Sequence, residues 1–441
     1  MTFNFKKAAL AIAASAVFMG CMSFGSVNAY ADDTEDGVAV SESDDNIEQS
    51  EEMESDDGLW TYTIITDKSK DTKTVCLEKY KGDETEVTFP DEIDGTEVTS
   101  LGDYTLYENQ NVTKVYIPSY ITEIGRSTFF ACTSLKEFDV DDDNDSFADK
   151  DGCLMSRDGI KFLGLPAGQK KTEFTVPDGV RALGPSAFAT CGELKKINLP
   201  DTLELIDFYC FAECKALNNV VLPDKMTSLE MFAFTGCTSL TDINFPEGLT
   251  EIGGGAFFNC TSLKEVAFPK SLTAIGQCAF VSTGFDEVEI PVYVQDIGYS
   301  AFGYTTDESG QLEPMKKFTI KGVEGSYAHQ YAADSDNSHI EFVKVDPPEE
   351  LMNKDSSDED SADSKTDDGD KNGFKKIAIL AGAALGGIAV IAAIAFLIRK
   401  LTGKNSSSKN SEENSSEDNE LSDIEPMSEE KDEENSEEND Q

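Results

Sequence analysis

Nucleophiles, bases and metal ligands are where chemistry would sit, and this sequence offers few usable sets of them. Its two histidines, His329 and His339, fall in one short stretch. A Ser-His or Cys-His enzyme needs one of them beside a nucleophile and oriented by an acid, and no spacing here proposes that set. Asp139, Asp141, Asp142, Asp143, Asn144 and Asp145 invite calcium. An EF-hand loop counted from Asp141 needs Gly at its sixth position and Glu at its twelfth, where Ser146 and Gly152 stand. Acids are so abundant that none stands out as half of a glycosidase pair. Cys210 and Cys214 lack the second pair or nearby His of a zinc site. The expectation is no catalytic residue, no cofactor and no metal.

The regular spacings carry a different message. Pro177, Pro200, Pro223, Pro246 and Pro269 stand 23 residues apart, as do Phe188, Phe211, Phe234, Phe257 and Phe280, and Cys191, Cys214, Cys237 and Cys260. One unit reads Ile252-Gly253, Ala256-Phe257, Cys260, Leu263, Val266, Phe268, Pro269. Val266 and Phe268, two apart, suit one face of a short strand, which Pro269 ends because it has no N–H for a ladder. The Ala256-Phe257 stretch reads as a helical or 3-10 turn, and Ile252-Gly253 as a second short extended piece. Stacked units place Phe on Phe, making a core that no single repeat could bury alone. The cysteine column fills one small apolar position per unit, so buried thiols are expected. Outside the cell, thiols of this kind point to a reducing or anaerobic habitat.

These residues resemble the BspA-like, or Treponema pallidum type, family of leucine-rich-repeat surface proteins, whose units share the Leu-Thr-x-Ile-Gly, Ala-Phe, Cys-x-x-Leu and Phe-Pro or Leu-Pro pattern. The resemblance covers residues 59–345. Residues 59–87 resemble its N-terminal strands and 318–345, with Gly325-Ser326-Tyr327-Ala328 and Ile340-Glu341-Phe342, its closing unit. It implies a bacterial surface adhesin or host-interaction protein and supplies no ligand. Repeats span 88–320, with one elongated repeat at 133–177, because Pro118 and Pro177 are 59 residues apart. That interval reads as a hairpin, Cys153-Leu154-Met155 turning at 156–159 into Ile160 to Leu163.

A solenoid binds through its strand-lined face. By alternation the outward positions are Lys114, Tyr116, Lys196, Asn198, Asn219, Val221, Asp242, Asn244, Glu265, Ala267, Glu287 and Glu289. Their column runs from basic to acidic and forms the expected ligand face.

The chain has 441 residues and a net charge of −49, from 36 basic and 85 acidic residues. A polyanion of this kind excludes nucleic acid as a partner. Residues 32–58 read as a disordered acidic linker, 346–373 as an acidic spacer and 401–441 as an acidic cytoplasmic tail. Lys6, Lys7, the apolar run from Ala8 and the Ala29-Tyr30-Ala31 site read as a signal peptide at 1–31, cleaved after Ala31. Residues 374–400, with the uncharged run Ile377 to Ile398, read as one transmembrane helix, and Gly382 and Gly386 as a weak homodimer contact. The whole is expected to be a leucine-rich-repeat solenoid held outside a membrane by a single-pass helix, recognising an extracellular protein or glycan in adhesion. The alternative is a structural or assembly protein of the cell envelope with no specific external ligand.

Overall fold

The computed structural model describes residues 46–352. Each repeat except the one at residues 265–267 contributes one strand to a parallel ladder, because alternation turns its middle residue inward and the flanking two outward. In Asn219–Val221 only Val220 is buried. Glu173–Thr175, Lys196–Asn198, Asn219–Val221 and Asp242–Asn244 stack in that order, Asn219 facing Asp242 in register. The Ile-Gly pieces form further parallel ladders. One runs through Lys161–Gly164, Ala182–Leu183 and Leu205–Ile206, another from Ser228–Leu229 to Asp296–Ile297.

Between these ladders runs the Phe-bearing turn, and here the expected helical turns give way to something else. Ser186 and Thr190, Tyr209 and Glu213, Phe232 and Gly236 all have positive φ, from 55° to 73°. Left-handed residues twice per turn interrupt any helix. The freed N–H groups reach across to the next rung, as Phe188 does to the Cys210 carbonyl at 2.8 Å. Inside the turns Phe162, Phe188, Phe211, Phe234, Phe257, Phe280 and Phe302 form a continuous stack, with ring centroids 5.0–5.5 Å apart and planes within 13°.

The elongated repeat folds as a three-stranded antiparallel meander, Phe147–Lys150, Cys153–Ser156 and Lys161–Gly164. Its first turn needs two residues of positive φ, which Asp151 at 53° and Gly152 at 73° provide. Two hydrophobic clusters meet at this meander, one from Trp60 to Leu154 and one from Cys153 to Ile340.

The acidic stretch expected to be disordered reaches into the fold. Ile47–Gln49 and Met53–Glu54 pair antiparallel with Trp60–Asp67, and Ser50 Oγ accepts from Ile64 N–H at 2.8 Å. Composition alone missed this, because backbone pairing along an otherwise open edge holds the segment. At the other end Phe318–Val323 pairs parallel with Ile340–Val345, and helix Tyr327–Ala333 buries Ala328 and Ala332.

The membrane reading is corrected. No helix among the described residues is long and apolar enough to cross a membrane. The longest, Tyr327–Ala333, has seven residues, about 10 Å at 1.5 Å per residue against a hydrocarbon core of about 30 Å. The run Ile377 to Ile398, with Gly382 and Gly386, lies outside the described residues, as do Ala31, residues 353–373 and the acidic tail. The single-pass anchor, the membrane and glycine-dimer partnerships, and the extracellular-to-cytoplasmic placement built on that run are therefore withdrawn, and with them the membrane-anchored adhesin.

Candidate functional site

On the strand face, the outward positions bond to one another from rung to rung. Lys196 Nζ lies 2.8 Å from Glu173, and Asn198 Nδ2 donates to Thr175 Oγ1 at 2.9 Å. Asn219 Nδ2 donates to Asp242 at 2.8 Å. Asn244 is used by backbone, its Oδ1 accepting from Leu222 N–H at 2.7 Å. Lys114 Nζ meets Asp139 at 2.7 Å and Glu137 at 3.4 Å, and Tyr116 Oη donates to Asp141 at 2.9 Å. Glu287 pairs with Lys321 at 2.5 Å.

The protonation equilibria follow these bonds. The Lys196 hydrogen bond lowers the Glu173 pKa, and the Asp139 hydrogen bond raises that of Lys114. Tyr116 is raised by its bond to Asp141.

Val221, Glu265 and Glu289 are exposed. Val221 is 65% exposed, large for a branched apolar side chain, and shares a shallow groove of about 540 Å³ with Lys196, Asn198 and Asn219. Four expected face residues thus come together. Glu265 does not join them, because residues 265–267 form no strand and the sheet ends at Asp242–Asn244. Asp242, Glu265 and Glu287 follow one another in this column, and stacked like charges disfavour pairing.

The other chemistry-bearing residues are occupied structurally. Asn144 is fully buried. Its Nδ2 donates to the Pro118 and Ile121 carbonyls at 2.7 and 2.9 Å, and its Oδ1 accepts from Ser146 and Phe147 N–H. The aspartate run is thus a turn built around an amide. Among the described residues no group of three or more His, Cys, Asp and Glu is placed to hold a metal. His329 Nδ1 accepts from Gly325 N–H at 3.0 Å, and His339 Nε2 lies 2.8 Å from the Gly303 carbonyl. All nine described cysteines are free thiols. Cys214, Cys237 and Cys260 donate to the Phe188, Phe211 and Phe234 carbonyls at 3.1–3.2 Å. Burial pushes the Cys132 and Cys191 thiols up to about 12, which removes them from nucleophilic chemistry.

A larger feature escaped the sequence analysis. Where the meander interrupts the repeats, a cleft of about 950 Å³ opens between residues 124–130 and 161–187. Phe129, Phe138, Leu154 and Leu163 line it, and Arg126, Arg181, Glu204 and Asp207 also border it. Arg181 is paired to Glu204 at 2.6 Å. Burial raises the Asp207 and Glu230 carboxyls above their ordinary range. The 59-residue proline interval was the available signal, though it gives no hint of which side of the solenoid opens.

Comparison with known proteins matches this geometry to one repeat type. Residues 82–151 and 170–308 match the BspA type leucine rich repeat region, in six copies. No curated protein matches the chain. Among solved structures, pneumococcal vaccine antigen PcpA is 14% identical with a TM-score of 0.39, covering 67% of this chain and 98% of its own. A leucine-rich repeat protein from Bacteroides ovatus is 22% identical, TM-score 0.35, covering 64% and 75%. The T. pallidum leucine-rich repeat protein is 21% identical, TM-score 0.26, covering 56% and 86%. The chain thus carries leucine-rich repeats of the BspA type. Its repeats make it a non-enzymatic protein.

Proposed function

We propose that this protein is a structural or assembly component of the cell envelope, a repeat scaffold with no specific external ligand. The observation that carries the reading is the strand face. Lys114, Lys196, Asn219 and Glu287 spend their polar groups on neighbouring rungs, which stiffens the solenoid and leaves few unpaired groups for a diffusing ligand. The leader read in residues 1–31 supports export to the envelope. The groove at Lys196, Asn198, Asn219 and Val221 is where the scaffold would rest against another envelope component, Val221 supplying the apolar contact.

The test removes residues 59–345 in the native host and measures lysis under osmotic and detergent stress, alongside binding of the purified full chain to arrays of matrix proteins and glycans. Increased lysis with no saturable array partner is expected. Unchanged lysis together with a saturable partner overturns the reading.

A further inference from the structure

Regular rungs spend their turn N–H groups in one way. Ser186, Phe188 and Thr190 donate to the carbonyls of Phe208, Cys210 and Ala212 at 3.0, 2.8 and 2.7 Å. Tyr104, Leu106 and Glu108 donate likewise to Arg126, Thr128 and Phe130 at 3.0, 2.9 and 2.9 Å. At the next rung the pattern stops. Among the described residues, the N–H groups of Ser127, Phe129 and Ala131 have no acceptor, although Ser127 and Ala131 are buried. The Ala187 carbonyl, which the register would assign to Phe129, accepts from Leu165 N–H at 2.8 Å instead.

The neighbouring ladder stops at the same place. Glu123–Ile124 pairs only with Thr96–Leu101 among the described strands. Arg181 and Gly184, whose N–H groups would serve the Thr122 and Ile124 carbonyls in a regular repeat, donate to Ile160 and Phe162, each at 2.8 Å. The meander has taken the partners of residues 122–131. One wall of the cleft is therefore an unfinished rung, offering carbonyls at Thr122 and Ile124 and then N–H groups at Ser127, Phe129 and Ala131. Backbone donors on a cleft wall with no acceptor in the chain leave an occupant the place to supply one.

We propose that this edge binds a polypeptide segment of a partner protein, which lies along residues 122–131 as the missing rung and follows its turn. A bound anion would use the N–H groups and leave the carbonyls unpaired. Only a peptide backbone carries donors and acceptors at alternate positions. The apolar lining of Phe129, Phe138 and Leu163 takes uncharged side chains. Charge at the border is balanced, Arg181 lying against Glu204, and Arg126 and Lys161 acting on Asp207. Across the cleft Ser127 Oγ meets Ser186 Oγ at 2.8 Å and Phe130 packs edge-on against Tyr209, contacts that docking must open. The inference stands on this backbone geometry and not on the envelope role.

The probe is a synthetic peptide copying residues 250–259, the cysteine-free rung that completes the edge of residues 227–236 in the intact chain. Amide hydrogen exchange is measured on the full chain with this peptide and with a scrambled control. Exchange over 122–131 is expected to slow about tenfold with the peptide alone. Ala182→Trp, projecting into the cleft from a half-buried position beside buried Leu183, abolishes the protection, as does Ala167→Trp should the first variant fail to fold. Ser186→Ala, which removes the bridging bond, strengthens it. Protection no greater than that of the scrambled peptide, or protection that survives in a folded blocking variant, overturns the proposal.

Discussion

Phe234 lies between Phe211 and Phe257, its centroid 5.0 Å from one and 5.5 Å from the other, and is fully buried. Phe234→Ala is expected to lower stability by about 3–5 kcal/mol, since neither neighbour can close the gap without leaving its own stack. Denaturant titration of the variant against the parent checks it. Thr190 is the opposite case. Its φ of 61° is unfavourable for a β-branched residue, and its buried hydroxyl has no partner. The corresponding position two rungs on is Gly236, with φ 73°. Thr190→Gly should raise stability by roughly 1 kcal/mol, net of the chain entropy glycine adds, read as a higher Tm. The half-buried acids set a pH dependence. Asp207 and Glu230 have folded pKa values raised above their ordinary ones, chiefly by burial. Their contribution is therefore fully present below the ordinary carboxyl range and lost as pH rises through the raised values. Glu173 and Glu204, lowered by Lys196 and Arg181, act in the opposite sense and lose their contribution as pH falls. Maximum stability at mildly acidic pH follows, and Glu230→Gln should raise Tm at pH 7 and flatten its fall from pH 5 to 7. A Tm that keeps rising to pH 8 in the parent would contradict this.

A repeat element is legible when its position in the stack admits one residue type, and this explains what the sequence did and did not reveal. Phe188, Phe211 and Phe234 must all fit the same stack, so their 23-residue interval survives in the sequence. The turn conformation is not legible, because Ser186, Tyr209 and Phe232 occupy the same left-handed position with unrelated side chains. Ile47–Gln49 was hidden by its acidic surroundings, since the bonds that hold it are made by backbone. The outward strand positions followed from alternation, but their mutual bonding depends on side-chain reach between rungs, as Lys196 to Glu173 shows. The meander was readable as a hairpin from its turn residues. Its theft of the partners of residues 122–131 depends on which ladder it joins, and that register leaves no mark in the spacing. Excising one complete unit, residues 204–226, restores every column to register, so the shortened chain should keep its circular dichroism and a cooperative unfolding transition. Excising twelve residues from the same start should abolish that transition, because Pro would then fall where Phe stands. Loss of cooperativity in the first deletion would show that the units are not interchangeable.

At the scale of the whole described molecule, a 23-residue solenoid carries a stiff, self-bonded strand face and one interruption with an unfinished edge. The scaffold reading and the peptide-binding inference both depend on the rung-to-rung backbone ladder. Hydrogen exchange of the unliganded full chain, resolved along the sequence, tests that ladder most directly. Protection should recur every 23 residues at the turn amides of Phe188, Phe211, Phe234 and Phe257, and lapse at Ser127, Phe129 and Ala131. Uniform protection through residues 122–131, or no 23-residue recurrence in the turns, would contradict the account.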